Sequence, residues 1–355
     1  MRVIYSVCSW GLGHATRSLP VIRKLIEEDN ELTIISHGRT LDLLKKELGA
    51  DIYYFDIPDY PMLLSAEPRQ FMAKSMIYWP MFIKNIQSGV KKIKKIVYKA
   101  KFDLIISDAR YDAINKKVPV YFITHQIRIM NPLRIKFLET GSEFFNDFFF
   151  KRFKGIIIPD YKEDNLSGDL SHNLKKIDEK KINYVGVLSD FKKKKIKKDI
   201  DYLISITGPE PQRTILENKL LSQVKNLKGN IAVTLGKTEE TCDLSQENIT
   251  IYSYLSKQQR ENILNRSKLV ISRSGYSTIL DLSVIGSKAL MIPTPGQIEQ
   301  EYLSRYHNSK GTFYSVKQNR INLINDIKKA KETTGIIRKC DVDKSVENIM
   351  NMITS

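Results

Sequence analysis

The chain has 355 residues, 42% of them hydrophobic, with 57 Lys and Arg against 40 Asp and Glu for a formal net charge of +17. That length exceeds what one hydrophobic core ordinarily fills, so two domains are expected, and no stretch approaches the roughly 18 uninterrupted apolar residues that would cross a membrane. Cys8, Cys242 and Cys340 stand far apart without CxxC spacing, which argues against a disulfide framework or a cysteine zinc site. The first residues run directly into a glycine turn, too early for a signal peptide, so a cytoplasmic location is expected. The basic excess fits an anionic membrane face, nucleic acid or phosphorylated substrates, or a compositional bias in a chain where lysine, isoleucine and asparagine are all frequent.

Residues 3–7 form an apolar run that predicts a buried first strand, followed by a tight turn, Ser9-Trp10-Gly11-Leu12-Gly13-His14, and a helix over 15–28 with Leu19, Ile22, Leu25 and Ile26 on one face. Strands are expected at 32–35 and 52–55 with a helix at 41–48 between them, then a turn at Asp59-Tyr60-Pro61 and a long helix over 69–99, kinked near Pro80. Residues 104–108 and 118–125 predict two more buried strands, each delivering polar groups at its carboxyl end, and 155–159 a sixth. In open α/β sheets that edge is where ligands bind.

A polar, lysine-rich passage over 160–198, including the run Lys192 to Lys195, marks a change of domain. A second alternation then begins, with strands at 202–206, 231–235, 249–252, 269–272 and 289–292 and helices between them. The boundaries expected are 1–188, 189–335, and a last segment, 336–355, whose helix over 343–353 packs back across the interface. The fold class is α/β, two Rossmann-like domains with parallel sheets.

The most informative segment runs from Ser272-Arg273-Ser274-Gly275 through Thr278 and Asp281 to Pro293 and Gln297-Ile298-Glu299-Gln300-Glu301. A strand ends in a Ser-Gly turn, and a helix opens with backbone N–H groups and a positive dipole end, the surroundings a phosphate needs. Asp281 and Gln300 are placed to bind sugar hydroxyls, so a nucleotide-sugar is the first ligand to consider. Thr207-Gly208-Pro209-Glu210-Pro211-Gln212-Arg213 is the first strand-to-helix loop of the second domain: Gly208 permits close approach and Arg213 suits a phosphate, unless this is an ordinary turn.

At the front, Gly11-Leu12-Gly13 lacks the third glycine of a dinucleotide fingerprint, because Thr16 stands there, and Ser36-His37 ends the second strand where an acidic ribose ligand would be needed. NAD is therefore not expected. His14 sits at the mouth of a helix and can act as a general base if oriented by a carboxylate, with Asp108 the best-placed partner; the alternative is a histidine that caps or packs. Two D-x-D triplets, Asp199-Ile200-Asp201 and Asp341-Val342-Asp343, do not follow core strands, so no metal is expected. Two aromatic segments with basic flanks, 78–82 and 144–152, suit either core packing or an interfacial membrane contact.

Together, Gly11-Leu12-Gly13-His14-Ala15-Thr16-Arg17 at the front, and Arg273 to Asp281 with Pro293 to Glu301 at the back, resemble glycosyltransferases of the GT-B fold, and family 28 in particular, the MurG-like N-acetylglucosaminyltransferases. The resemblance implies two Rossmann-like domains facing a cleft and an inverting, metal-independent transfer. The acceptor would sit on the first domain, with Gly13, Thr16, His125 and Gln126 beside the base His14, and a UDP-sugar on the second. By that likeness Ser274, Gly275 and Thr278 hold phosphate, Asp281 holds ribose, Gln300 and Glu301 face the donor sugar, and Ser253, Tyr254 and Leu255 hold the nucleobase, alongside Gly208, Arg213 and Arg273. Two departures matter. Thr124-His125-Gln126-Ile127 replaces a His-Glu-Gln-Asn segment, and Glu301 replaces the second member of a Gln-Gln pair.

The function expected is transfer from a UDP-sugar to a hydroxyl acceptor, lipid-linked or part of a cell-envelope glycan, by an enzyme at the inner face of an anionic membrane. No cofactor is needed beyond the UDP-sugar as substrate. The alternatives are a UDP-sugar 2-epimerase of the same fold and a non-catalytic nucleotide-sugar-binding or scaffold subunit. No nucleic-acid motif accompanies the charge, so nucleic acid is not expected as a partner.

Overall fold

The computed structural model describes residues 1–60, 68–131, 133–237, 244–246 and 248–354, with only the backbone of 68–77, 79 and 244–246. Cys242, Pro61 and the side chain of Trp79 lie outside the described residues. The chain divides into two compact units, Met1–Asp190 with Asp341–Ser355, and Phe191–Cys340.

In the first unit the order is β1 (Arg2–Val7), α1 (Leu12–Glu27), β2 (Glu31–Ser36), α2 (Gly38–Leu48), β3 (Tyr53–Asp56), α3 (Pro68–Lys99), β4 (Leu104–Asp108), β5 (Val120–Ile123), α4 (Lys136–Phe150), β6 (Gly155–Ile158) and β7 (Ile182–Tyr184). Its parallel sheet runs β3-β2-β1-β4-β5-β6-β7. Near-continuous apolar runs are what such a sheet requires, because helices cover both faces; Val3, Ile4, Ile105, Ile106, Phe122 and Ile156 are buried accordingly.

The second unit runs β8 (Ile200–Ser205), α5 (Gln212–Val224), β9 (Ile231–Thr234), β10 (Leu244–Gln246), β11 (Ile249–Tyr252), α6 (Lys257–Arg266), β12 (Ser267–Ser272), α7 (Tyr276–Ile285), β13 (Lys288–Met291), α8 (Ile298–Ser309), β14 (Tyr314–Ser315) and α9 (Leu323–Glu332). The order in its sheet is β10-β11-β9-β8-β12-β13-β14. Local chemistry sets several ends. Ser256 and Gln259 form a reciprocal capping box at the start of α6, and Gly286 closes α7 in the left-handed conformation. The last helix, α10 (Val342–Thr354), belongs to the first unit, where Asn348 donates to the Val185 carbonyl at 3.1 Å and the Met352 carbonyl accepts from Tyr121 Oη at 2.9 Å.

Several elements depart from what the sequence suggested. Helix α1 starts at Leu12, so Gly13 and His14 lie in its first turn rather than before it. Residues 182–184 form a seventh strand at the sheet edge, and β10 pairs antiparallel with β11, so the second sheet is not wholly parallel. The aromatic segment 144–152 is the end of α4, with Phe149 and Phe150 in the core and Phe144 and Phe148 exposed.

In each sheet the strand order reverses beside the first strand, between β1 and β4 and between β8 and β12. Neighbouring loops leave to opposite faces there, opening a crevice at the carboxyl edge. Ile271 is fully buried in the strand that flanks the second crevice. Ile271→Ala should cost about 2–5 kcal/mol through lost burial and a residual cavity, read as a lower urea midpoint for the second unit.

Candidate functional site

At the first crevice, β1 leads through Gly11, the N-cap of α1, into His14, while β4 ends in Asp108. The Asp108 carboxylate is fully buried and accepts from His14 Nδ1 at 2.7 Å, Arg17 Nε at 2.7 Å and Ser18 Oγ at 3.0 Å, with a further short contact from Arg17 Nη2. Burial pushes the carboxyl up, but the Arg17 guanidinium and His14 outweigh it and hold Asp108 well below the usual carboxylate range. Asp108 is therefore ionised and can only accept, so His14 Nδ1 carries a proton, and in the neutral imidazole Nε2 is the nitrogen left to accept one. That is the state of a general base oriented by a carboxylate.

The other front residues divide. His125, buried after β5, accepts from Arg17 Nη1 at 2.9 Å and so joins the same cluster. Gln126 follows it, its backbone N–H bound to Thr124 Oγ1 at 3.0 Å. Thr16 turns its hydroxyl back to the Gly13 carbonyl at 3.2 Å, which leaves its oxygen lone pairs but not its proton for an acceptor. Sequence reasoning quoted Arg17 within a motif but gave it no role. Its spacing of three residues from His14, one turn along a helix, was the available signal.

At the second crevice, α7 starts after Gly275 with no side-chain cap and no acidic residue in its first turn, so that turn carries no anion of its own to offset the positive end of the helix dipole. Thr278 and Asp281 are one turn apart on that helix, both partly exposed. Ser274 is buried and donates to the Gln300 carbonyl at 2.8 Å, while Gln300 Oε1 accepts from the Thr294 N–H at 2.9 Å and Glu301 accepts from the Gly296 N–H at 3.2 Å. The amide and carboxylate thus brace the loop they occupy. Ser253, Tyr254 and Leu255 follow β11 at the same sheet edge, with Ser253 and Leu255 buried.

Gly208 sits at φ +121°, a conformation that favours glycine. A Cβ there would lie 3.5 Å from Arg273 Nε and 3.6 Å from Thr294 Oγ1, so loops after β8, β12 and β13 meet at this point. Arg273 is the pin. Its buried guanidinium donates to the carbonyls of Thr207, Ile292, Pro293 and Gln212 at 2.9–3.3 Å. Burial pushes its pKa down to about 10. Four of its five N–H donors are thus used on backbone carbonyls. Arg213 is paired with Glu210 and Glu217, each at 2.7 Å.

Thr294 was missed from sequence. Its side chain is buried, yet Oγ1 has no hydrogen-bond partner among the described residues. An unmet buried hydroxyl costs on the order of 1–3 kcal/mol, and beside Gly208 it marks where a ligand oxygen would be accommodated. The D-x-D acids lie elsewhere: Asp199 and Asp201 start β8 at the opposite edge and pair with Arg266 and Lys268 at 2.8 Å each.

Comparison with known proteins bears on both crevices. Residues 212–334 match the glycosyltransferase family 28 C-terminal domain, and residues 1–136 match glycosyl transferase family 1. An uncharacterised glycosyltransferase of Methanosarcina mazei is 30% identical over 172 residues, 45% of this chain and 44% of the relative's own length. The Rickettsia akari UDP-N-acetylglucosamine–N-acetylmuramyl-(pentapeptide) pyrophosphoryl-undecaprenol N-acetylglucosamine transferase is 21% identical, covering 84% of this chain and 80% of that one. The crystal structure of the calicheamicin glycosyltransferase CalG4 matches with a TM-score of 0.66 at 10% identity, over all of this chain and 94% of the other.

Asp108 is also a stability element. With its pKa lowered on folding, its contribution is present above the unfolded value of about 3.9 and is lost as the pH falls through the folded value. Asp108→Asn leaves Arg17 buried without its anion and should cost about 3–5 kcal/mol at pH 7. The gap between wild type and variant in urea midpoint should narrow below about pH 4.

Proposed function

The chain is a glycosyltransferase of the GT-B fold, similar to family 28, and on that premise we propose that it transfers a sugar from a UDP-sugar to a hydroxyl acceptor with inversion and without a metal. The observation that carries this reading is the His14–Asp108 pair at the first crevice, whose geometry is that of a base. In the proposed reaction the acceptor oxygen forms a bond to the anomeric carbon while its proton passes to His14 Nε2. The bond from that carbon to the diphosphate oxygen breaks, and the electron pair leaves with UDP. The uncapped N-terminus of α7 receives the developing charge, the role a metal would otherwise fill.

In the second unit, Ser274, Gly275, Thr278 and the Thr294 hydroxyl are assigned to the diphosphate, Asp281 to ribose, residues 253–255 to the base and Gln300 with Glu301 to the sugar. The Rickettsia relative's donor, by its name, is UDP-N-acetylglucosamine. Glu301 in place of an amide gives this chain a different hydrogen-bonding set at the sugar, so its preference need not be the same.

The acceptor we propose is lipid-linked, presented at an anionic membrane surface. The same relative acts on a pyrophosphoryl-undecaprenol. No helix among the described residues is long and apolar enough to cross a membrane. Instead, Phe137, Phe144 and Phe148 on α4 are 83%, 69% and 56% exposed, and recur at helical spacing along one face. Arg134, Lys136, Lys151 and Arg152 flank them, and Phe137 borders an apolar hollow of about 300 Å³. Aromatic anchors between basic side chains suit a surface-lying helix.

Substitution His14→Ala should slow transfer about 10²–10⁴-fold while UDP still raises the melting temperature; near-normal transfer would remove the base assignment. Thr294→Val should leave the ligand-free melting temperature unchanged or higher and weaken the stabilisation by UDP, measured by thermal shift. Excess EDTA should leave the rate unchanged, and loss of activity restored by a divalent cation would contradict the metal-free step. Binding to anionic vesicles should fall with salt and with Phe137→Asp.

A further inference from the structure

The first unit holds a second concave place, apart from its crevice. A hollow of about 580 Å³ lies along the edge strand β7, three strands from β4 in the sheet order, and is lined also by the loop before β7 and by α10. All of its walls belong to the first unit, and its volume falls within the roughly 300–1,000 Å³ of small-molecule sites. None of its lining residues bonds to Asp108 or His14.

Three asparagines line the hollow, each with its amide orientation fixed. Asn173 Nδ2 donates to Asp169 Oδ1 at 2.9 Å, Asn348 Nδ2 to the Val185 carbonyl at 3.1 Å, and Asn183 Nδ2 to the Lys181 carbonyl at 3.2 Å. A carbonyl or carboxylate oxygen can be met only by the NH2 end of an amide, so each Oδ1 is the end left to accept from a ligand. Glu179 adds an exposed carboxylate and Lys162 an exposed ammonium, neither in an ion pair among the described residues. Tyr184 adds a carbon surface: its hydroxyl is spent on the Ser171 carbonyl at 2.7 Å, and its ring is stacked on His172 with centroids 4.6 Å apart.

That combination selects a ligand class by elimination. A phosphate, which at neutral pH chiefly accepts, would suit Lys162 but would confront three amide oxygens and a carboxylate. A polyamine carries donors and positive charge, so it would satisfy those oxygens but oppose Lys162. A hydroxyl both donates and accepts, and a ring bearing several of them also has C–H faces that can lie against an aromatic side chain. We propose that this hollow is a saccharide-binding site. The sugar hydroxyls donate to the oxygens of Asn173, Asn183, Asn348 and Glu179 and accept from Lys162, while a C–H face packs on Tyr184. The site is separate from the donor and acceptor places proposed above, so it holds a glycan on which the crevice is not acting, and it stands whether or not His14 is the base.

The asparagines report on the site directly. Protein labelled with 15N-asparagine can be titrated with maltotriose and with chitotriose, each with and without UDP. The side-chain NH2 signals of Asn173, Asn183 and Asn348 should shift with at least one trisaccharide in the millimolar range, equally in the presence and absence of UDP. They should stay still with spermidine, with inorganic phosphate, and with glycerol at a matched hydroxyl concentration. Asn173→Ala combined with Glu179→Ala, both at exposed positions, should weaken the trisaccharide about tenfold, the loss of one or two hydrogen bonds, with thermal stabilisation by UDP unchanged. Wild-type asparagine signals that ignore both trisaccharides overturn the proposal, as do signals that follow spermidine, phosphate or glycerol instead. A double variant that binds the trisaccharide as tightly as wild type also overturns it, since the sugar would then sit elsewhere.

Discussion

The first unit is organised around one buried anion. Asp108 has no exposure and sits at the end of a central strand, where an unpaired carboxylate would be prohibitively costly. Everything near it meets that demand: Arg17 from α1 supplies the opposite charge, Ser18 a hydroxyl, His14 its Nδ1 proton. Because three of the donors come from one helix, satisfying Asp108 also fixes how α1 docks against the sheet. The orientation of His14 is then a by-product of solvation inside the fold, and the base proposed for the reaction is one that folding has already aligned.

The second unit handles a buried charge by other means. Arg273 has no carboxylate among its bonded partners; it is solvated by carbonyls from the connections after β8 and β13, so it ties both to its own loop after β12. Its cost in burial is seen in its lowered pKa. In return, the start of α7 is held open at a fixed place beside Gly208, without a side chain of its own to block or neutralise it. Each unit thus sets one buried ion, Asp108 or Arg273, at the point where its strand order reverses, and the proposed proton acceptor and anion site lie beside them.

Apolar runs bounded by Gly and Pro made the parallel strands legible, because a sheet covered on both faces leaves little choice of residue. The α/β class and the motif positions followed. What escaped were elements whose stability comes from partners distant in sequence: β7, three residues at a sheet edge, and the antiparallel β10. Site residues split the same way. His14 and Asp108 were legible because a strand end and a helix start are local features. A positive charge beside a glycine loop suggests phosphate for Arg213 and Arg273, while the partners they hold within the fold, Glu210, Glu217 and a set of carbonyls, emerge only from the packed structure. Thr294 carried no signal at all, since an unmet hydroxyl is defined by what surrounds it.

The account turns on where the nucleotide diphosphate binds, and amide NMR with UDP tests that most directly. The account predicts that saturating UDP shifts the N–H signals of Gly275, Tyr276, Ser277 and Thr278, with Gly208 and Thr294 following, while the strand residues of the first unit stay still. Shifts that cluster instead on the α1 turn at Gly11 to His14, with the start of α7 unmoved, would contradict it.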